Sequence, residues 1–167
     1  MSRQILFTSI YTGVLLLPLG IIAWLTGRPF LFPSIGPSAF LMAMILSGEP
    51  TSARRVVGGH IIGTLAGLFA YHLFAPGITI LAPTVPLAGA PLQLTASTIC
   101  ALMLTVAGML YTETVHPPAC ATTLIIALGL LSSIEGAITI IGSIVVLFTI
   151  HTLVIRYVIP VWSDEME

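Results

Sequence analysis

Residues 61–72, IIGTLAGLFAYH, and residues 140–151, IIGSIVVLFTIH, decide the fold, because they are two copies of one apolar helix. Six of the twelve aligned positions are identical, and they include one glycine pair and one histidine pair. A register shifted by one residue also superposes residues 37–39 on residues 117–119. We therefore predict a single transmembrane domain, 1–167, built from two internal repeats, about 1–80 and 81–160.

The composition places this domain in a bilayer. Of 167 residues, 57% are apolar and only 7% are charged, and the mean hydropathy is +1.11, whereas about 25% of residues are charged in soluble domains. Five arginines, no lysine and a net charge of -1 leave no basic patch, so we expect no nucleic-acid partner. The sequence carries no P-loop pattern, which excludes an ATP-driven pump for this chain alone.

Apolar segments of two lengths alternate along the chain. Four are long enough for the roughly 20 residues of a spanning helix, and we place them at 5–25, 56–74, 92–111 and 136–159. Two shorter segments, 36–47 and 117–131, begin with proline at or next to their first residue, as helix starts do. The predicted fold class is therefore all-α and polytopic, with four long transmembrane helices and two short helices started by proline.

The arginines favour one of two topologies. If the short segments also cross, four of the five arginines lie on one side, which the positive-inside rule makes cytoplasmic. Both termini are then cytoplasmic, the protein lies in the cell (inner) membrane, and the second repeat is inverted, as in many secondary transporters. If the short segments are re-entrant, the chain has four crossings and the repeats are parallel.

The starts of the two short helices are the predicted binding site. A helix that begins within a membrane directs N–H groups and the positive end of its dipole toward the protein centre, which favours an anion. Hydroxyl groups of Ser34, Ser38 and Thr122 surround these starts and can donate to a small anion. Carbonyl groups before each proline leave a cation site open as the alternative.

Three ionisable residues near these starts are candidates for a proton relay. His116 directly precedes the double proline, and an ionisable group at such a position in a membrane segment is functional by default. Glu113 lies three residues earlier, where it pairs with His116 or an arginine, or marks the water interface. His60 either faces the same cavity or has a packing role.

The other features have structural interpretations. Gly59, Gly63 and Gly67 recur every fourth residue, which is typical of close helix packing in membranes. No H-E-x-x-H motif or clustered carboxylate pair occurs within the spans, so we expect no enzyme, no metal and no cofactor.

Three motifs in this order resemble those of the HPP family of integral membrane proteins, named for its His-Pro-Pro motif. They are FPSIGPSAF at 32–40, RRVVGGH at 54–60 and HPPACAT at 116–122. The family is described with four spanning helices, and its members from cyanobacteria and chloroplasts are nitrite transporters. The resemblance implies roles for the matching residues, which are Gly36, Ser38, Ala39, Arg54, Gly58, Gly59, His60, His116, Pro117, Pro118, Ala119, Ala121 and Thr122.

Residues and resemblance together predict a transporter or channel for a small monovalent anion, with nitrite as the leading candidate. The predicted anion lies between the starts of the two short helices, and its expected partners are Ser34, Gly36, Pro37, Ser38, Ala39, His116, Pro117, Pro118, Ala119 and Thr122. Two alternatives stay open: a carrier of another small solute or cation, and a membrane scaffold or sensor without transport. Membrane lipid and further copies of the chain are the other expected partners.

Overall fold

A computed structural model describes residues 2–44, 52–83, 85 and 87–158. These residues form six α-helices and no strand, which confirms the predicted fold class. A π-helical turn, Val154–Val158, follows the last helix. The helices, in chain order, are α1 (Ser2–Thr26), α2 (Ile35–Met44), α3 (Ala53–Phe74), α4 (Gly89–Tyr111), α5 (Pro118–Ala127) and α6 (Ile134–Leu153).

The helices fall into two classes by length, long and short, as the sequence predicts. The helices α1, α3, α4 and α6 are long and apolar enough to cross a membrane. The helices α2 and α5 have ten residues each, or about 15 Å at 1.5 Å per residue, which is half of a ~30 Å hydrocarbon core. Helix α5 by itself therefore spans only about half of the core.

The helix boundaries differ from the predicted segments for local reasons. Helix α5 begins at Pro118, one residue after the predicted start at residue 117, and ends at Ala127 and not at residue 131. Gly129 has a positive φ of 77°, and the Leu128 carbonyl accepts a hydrogen bond from the Ile80 N–H, so the chain leaves the helix there. The predicted ends of the second segment at Ser47 and of the sixth at Ile159 lie outside the described residues.

Helix α3 is the centre of the domain and packs against α4, α5 and α6. Its three stripe glycines, Gly59, Gly63 and Gly67, let α5 and the segment before it approach closely. A Cβ atom at Gly63 would lie 2.8 Å from the Ala119 carbonyl oxygen, and one at Gly67 would lie 2.9 Å from Ile126 Cβ. The close-packing role predicted for this stripe is confirmed, because any side chain there would displace α5.

Contacts between particular residues fix the relative directions of several helices. Helix α5 runs parallel to α3, because Gly63 lies against Ala119 and Gly67 lies against Ile126. Helix α6 is antiparallel to α1, since an exposed ion pair of 2.8 Å joins Arg28, just after α1, to Glu135 at the start of α6.

The main apolar core lies between α1, α2 and α6. Leu15 and Leu19 from α1, Met42 from α2, and Ile144 and Leu147 from α6 are fully buried in it. Most of the remaining surface of α1 is exposed, and its exposed residues are largely apolar, as expected of a helix that faces lipid.

A buried hydrogen bond ties the α1–α6 pair together at one end. Tyr11 Oη and His151 Nδ1 are 3.0 Å apart, and both side chains are buried. His151 therefore has a structural partner, whereas His72, the histidine that aligns with it in the sequence, is exposed.

Replacing Tyr11 with phenylalanine is expected to destabilise the protein by about 1–3 kcal/mol, because it leaves a buried imidazole nitrogen without a partner. Thermal unfolding in detergent measures this effect. Tyr157→Phe is the control, since Tyr157 is 60% exposed. Equal midpoints for Tyr11→Phe and the wild type would contradict the structural role of this bond.

Candidate functional site

Five buried polar side chains from three helices and two connecting segments meet at α3. Ser34 precedes α2 and Ser38 lies within it, His60 lies on α3, His116 precedes α5 and Thr122 lies within it. Pro118 at the first position of α5 holds this start in helical conformation without requiring a hydrogen-bond acceptor. All five residues were singled out from the sequence, and the structure brings them together.

Hydrogen bonds connect the five side chains into one network, which we call the His-Ser-Thr network. Ser34 Oγ and Thr122 Oγ1 are 2.7 Å apart, and Thr122 Oγ1 lies 2.8 Å from His60 Nδ1. Because Ser34 pairs with Thr122 while Ser38 pairs with His116, helix α2 runs antiparallel to α5.

Ser38 is the junction of this network. Its Oγ lies 3.1 Å from His60 Nε2 and 3.1 Å from His116 Nε2, and it donates to the Ser34 carbonyl oxygen at 3.0 Å. The two imidazole rings are tilted by 57° with centroids 5.2 Å apart. Two imidazole nitrogens therefore converge on a single hydroxyl oxygen.

Hydrogen counting fixes the direction of each bond when both imidazoles are neutral. A serine hydroxyl has one proton, and that of Ser38 is directed at the Ser34 carbonyl, so both histidines donate their Nε2–H to Ser38 Oγ. The Nδ1 of neutral His60 is then an acceptor, and Thr122 donates to it. Ser34 in turn donates its hydroxyl proton to Thr122.

The network contains no carboxylate and no arginine. Glu113 is exposed and has a φ of 57°, and the structure does not bring it to His60 or His116. Arg54 is also exposed, and its guanidinium donates to the Thr112 carbonyl at 2.8 Å, which ties the start of α3 to the end of α4. Across the described ranges, no group of three or more histidine, cysteine or acidic side chains could hold a metal ion.

The remaining predicted site residues differ in their exposure. Pro118 and Ala119 are buried beside the network, and Ala39 is buried in α2. Gly36 is half-buried, while Pro37 and Pro117 are exposed. The structure therefore brings some residues of the two proline motifs to the network and directs others away from it.

Backbone donors at the helix starts are largely in use. Pro117 and Pro118 have no N–H, and the N–H groups of Ala119 and Cys120 donate to the carbonyls of His116 and Pro117 at 2.9 and 3.0 Å. At the start of α2, the Ile35 N–H donates to the Phe32 carbonyl at 2.9 Å. A ligand in this region would therefore meet side-chain hydrogen-bond donors rather than free backbone N–H groups.

Behind the network, a second hydroxyl pair joins α4 to α5. Thr105 Oγ1 and Thr123 Oγ1 are buried and 2.8 Å apart. Thr105 could not be recognised from the sequence, because a lone threonine in an apolar helix carries no signal of its own. Two surface grooves, of about 330 and 430 Å³, lie elsewhere and contain none of the predicted site residues.

The protein is a multi-pass integral membrane protein. It has four apolar helices long enough to span a bilayer and a buried polar network beside two short helices. The model of the family described as "HPP, transmembrane region" matches residues 1–161, and the chain belongs to this family. This membership suggests a transporter-like role in a membrane. No curated protein and no solved structure has significant similarity to the chain.

Proposed function

We propose that the protein transports a small monovalent anion, with nitrite as the leading substrate, and binds it at the His-Ser-Thr network. The observation that carries this proposal is the convergence of His60 Nε2 and His116 Nε2 on Ser38 Oγ. In the neutral network both nitrogens are donors, so an electron-rich oxygen already occupies the point where they meet. The oxygen of a small anion also accepts hydrogen bonds, so it suits the same two N–H donors as Ser38 Oγ does.

Ser38 occupies the position that an anion oxygen takes. Rotation of its side chain away from the two rings frees both imidazole N–H groups, and the Ser38 hydroxyl can then donate to the same anion. Three donors on one small anion offset part of the cost of removing its hydration shell. Because none of these donors carries a full charge, the anion is held weakly enough to leave again.

The chemistry of the network disfavours a cation. Its described side chains include no carboxylate, and Ser38 Oγ, Thr122 Oγ1 and His60 Nδ1 already accept hydrogen bonds within the network. A cation would need several oxygen ligands at one point, and no such cluster of free acceptors exists among these five residues. Small anions are therefore the substrate class that the network fits better.

We further infer that the two halves are inverted repeats. Helix α2 is antiparallel to α5, which occupies the same place in the second half, and α5 is parallel to α3. The helix contacts have the same symmetry. If α1, α2 and α3 are exchanged with α4, α5 and α6 in that order, every pair of α-helices in contact becomes a pair that is also in contact; for example, α3 with α4 becomes α6 with α1. Such repeats with broken helices at their interface are frequent in secondary transporters.

Anion binding to the purified chain in detergent tests the proposed site. Nitrite is expected to raise the thermal unfolding midpoint in a saturable manner, because a ligand that binds only the folded state stabilises it. Formate, nitrate and chloride serve as competitors and measure selectivity. If none of the four anions changes the midpoint of folded protein, the anion site is refuted and a scaffold or sensor role becomes the better hypothesis.

A further inference from the structure

Thr64 is an exception among the buried hydroxyl residues of the long helices. Ser97, Thr105, Thr139 and Ser143 each donate to a backbone carbonyl, and the last three use the carbonyl four residues earlier. The Thr64 side chain is 4% exposed, yet its Oγ1 has no hydrogen-bond partner in the part of the chain that the structure describes.

The position of Thr64 relates it to the His-Ser-Thr network. It lies on α3 one helical turn after His60, so the two side chains share a face of the helix. Side chains on a helix lean toward its N-terminus, which directs Thr64 back toward His60. Its neighbour Gly63 lies against α5, while Val56, on the same face as His60, packs in the core between α1, α2 and α6.

An unpaired hydroxyl in this environment has an energetic cost. Burial removes it from water, and a valine of nearly the same shape would avoid the penalty. The nearby His60 carbonyl is the usual acceptor for a threonine on a helix, but Thr64 does not use it. Its proton is therefore a donor that the structure leaves free, one helical turn from His60.

We propose that Thr64 Oγ1 is a binding contact for the transported anion, one turn deeper along α3 than His60. This inference rests on the proposed function and adds a residue that neither proline motif contains. An anion that leaves the two imidazoles meets the Thr64 hydroxyl next, so the site extends along α3 and does not end at Ser38. Several weak contacts in sequence are what conduction requires of a selective pathway.

The second repeat supplies a matched comparison. Ser143 occupies the position in α6 that corresponds to Thr64 in α3, and it is also fully buried. Its hydroxyl donates to the Thr139 carbonyl at 2.8 Å. The hydroxyl without a partner is therefore found in α3 at Thr64 and not at the aligned position in α6. We accordingly place the additional anion contact on α3, the helix that carries His60.

Thr64→Val, Thr64→Ser and the control Thr139→Val test this inference. Thr139 is 5% exposed and donates to its own helix at the Glu135 carbonyl. We expect Thr64→Val to unfold at a higher temperature than the wild type without anion, because an unpaired buried hydroxyl is removed. We also expect Thr64→Val to bind nitrite about tenfold more weakly and to raise the KM of nitrite uptake about tenfold. Thr64→Ser, which keeps the hydroxyl group, should retain the wild-type affinity and KM.

The outcomes separate this inference from the proposed function. Thr64→Val with unchanged nitrite affinity, in a preparation whose wild type binds nitrite, overturns the role of Thr64 and leaves the anion site intact. Equal losses in Thr64→Val and Thr139→Val also overturn it, since the effect is then a general one of threonine removal. A wild type that neither binds nor transports nitrite, formate, nitrate or chloride overturns the proposed function itself.

Discussion

His116→Ala is expected to lower nitrite uptake by roughly ten- to a hundredfold. The substitution removes one of the two imidazole N–H donors that meet at Ser38, and a hydrogen bond to a charged group contributes about 1.5–3 kcal/mol. The fold should survive, because the part of His116 that packs against Gly59 is its Cβ atom, which alanine keeps. Initial uptake rates in proteoliposomes measure the effect.

The matched control for this experiment is His72→Ala. His72 is also a histidine associated with α3, but it is exposed near the other end of the helix and belongs to no part of the network. Its replacement should leave uptake unchanged. If His116→Ala and His72→Ala both transport nitrite as fast as the wild type, His116 is not a substrate contact.

Gly63→Ala is expected to destabilise the protein, because no space is left for a side chain between α3 and α5. The added Cβ would lie 2.8 Å from both the Ala119 carbonyl oxygen and Thr123 Oγ1, so α5 must move away from α3. Overpacking of this kind costs about 1–3 kcal/mol and sometimes more. Thermal unfolding in detergent should show a clearly lower midpoint.

Gly142→Ala is the control, since Gly142 aligns with Gly63 when residues 140–151 are compared with residues 61–72. A Cβ at Gly142 meets no atom within 4 Å, so Gly142→Ala should be neutral or stabilising by about 0.5–1 kcal/mol, as is usual for glycine to alanine in a helix. The opposite order of the two midpoints would show that α3 and α5 do not pack through Gly63.

Much of the architecture could be predicted because its signals are local. Apolar run length separates the four long helices from the two short ones, and the spacing of Gly59, Gly63 and Gly67 indicates the face where α5 packs. Pro118 correctly marks the start of α5. The end of α5 was predicted too late, because the apolar residues 128–131 continue past the left-handed Gly129.

The candidate site was only partly predictable, because its bonds join residues far apart in the sequence. Ser34 and Thr122 are separated by 88 positions, and no spacing rule reports such a pair. His116 was prominent beside its prolines, while His60 could be assigned equally to packing until the structure placed both rings on Ser38. Thr64 had no signal, because an unpaired hydroxyl is a property of three-dimensional surroundings.

Nitrite uptake into proteoliposomes that contain the purified chain tests the central claim most directly. Formate, nitrate and chloride are added as competitors, and empty vesicles measure leakage. We predict saturable uptake that depends on the protein and prefers nitrite, and its response to an imposed pH gradient separates proton-coupled transport from a passive channel. No uptake of any of the four anions by folded and correctly inserted protein would contradict the account.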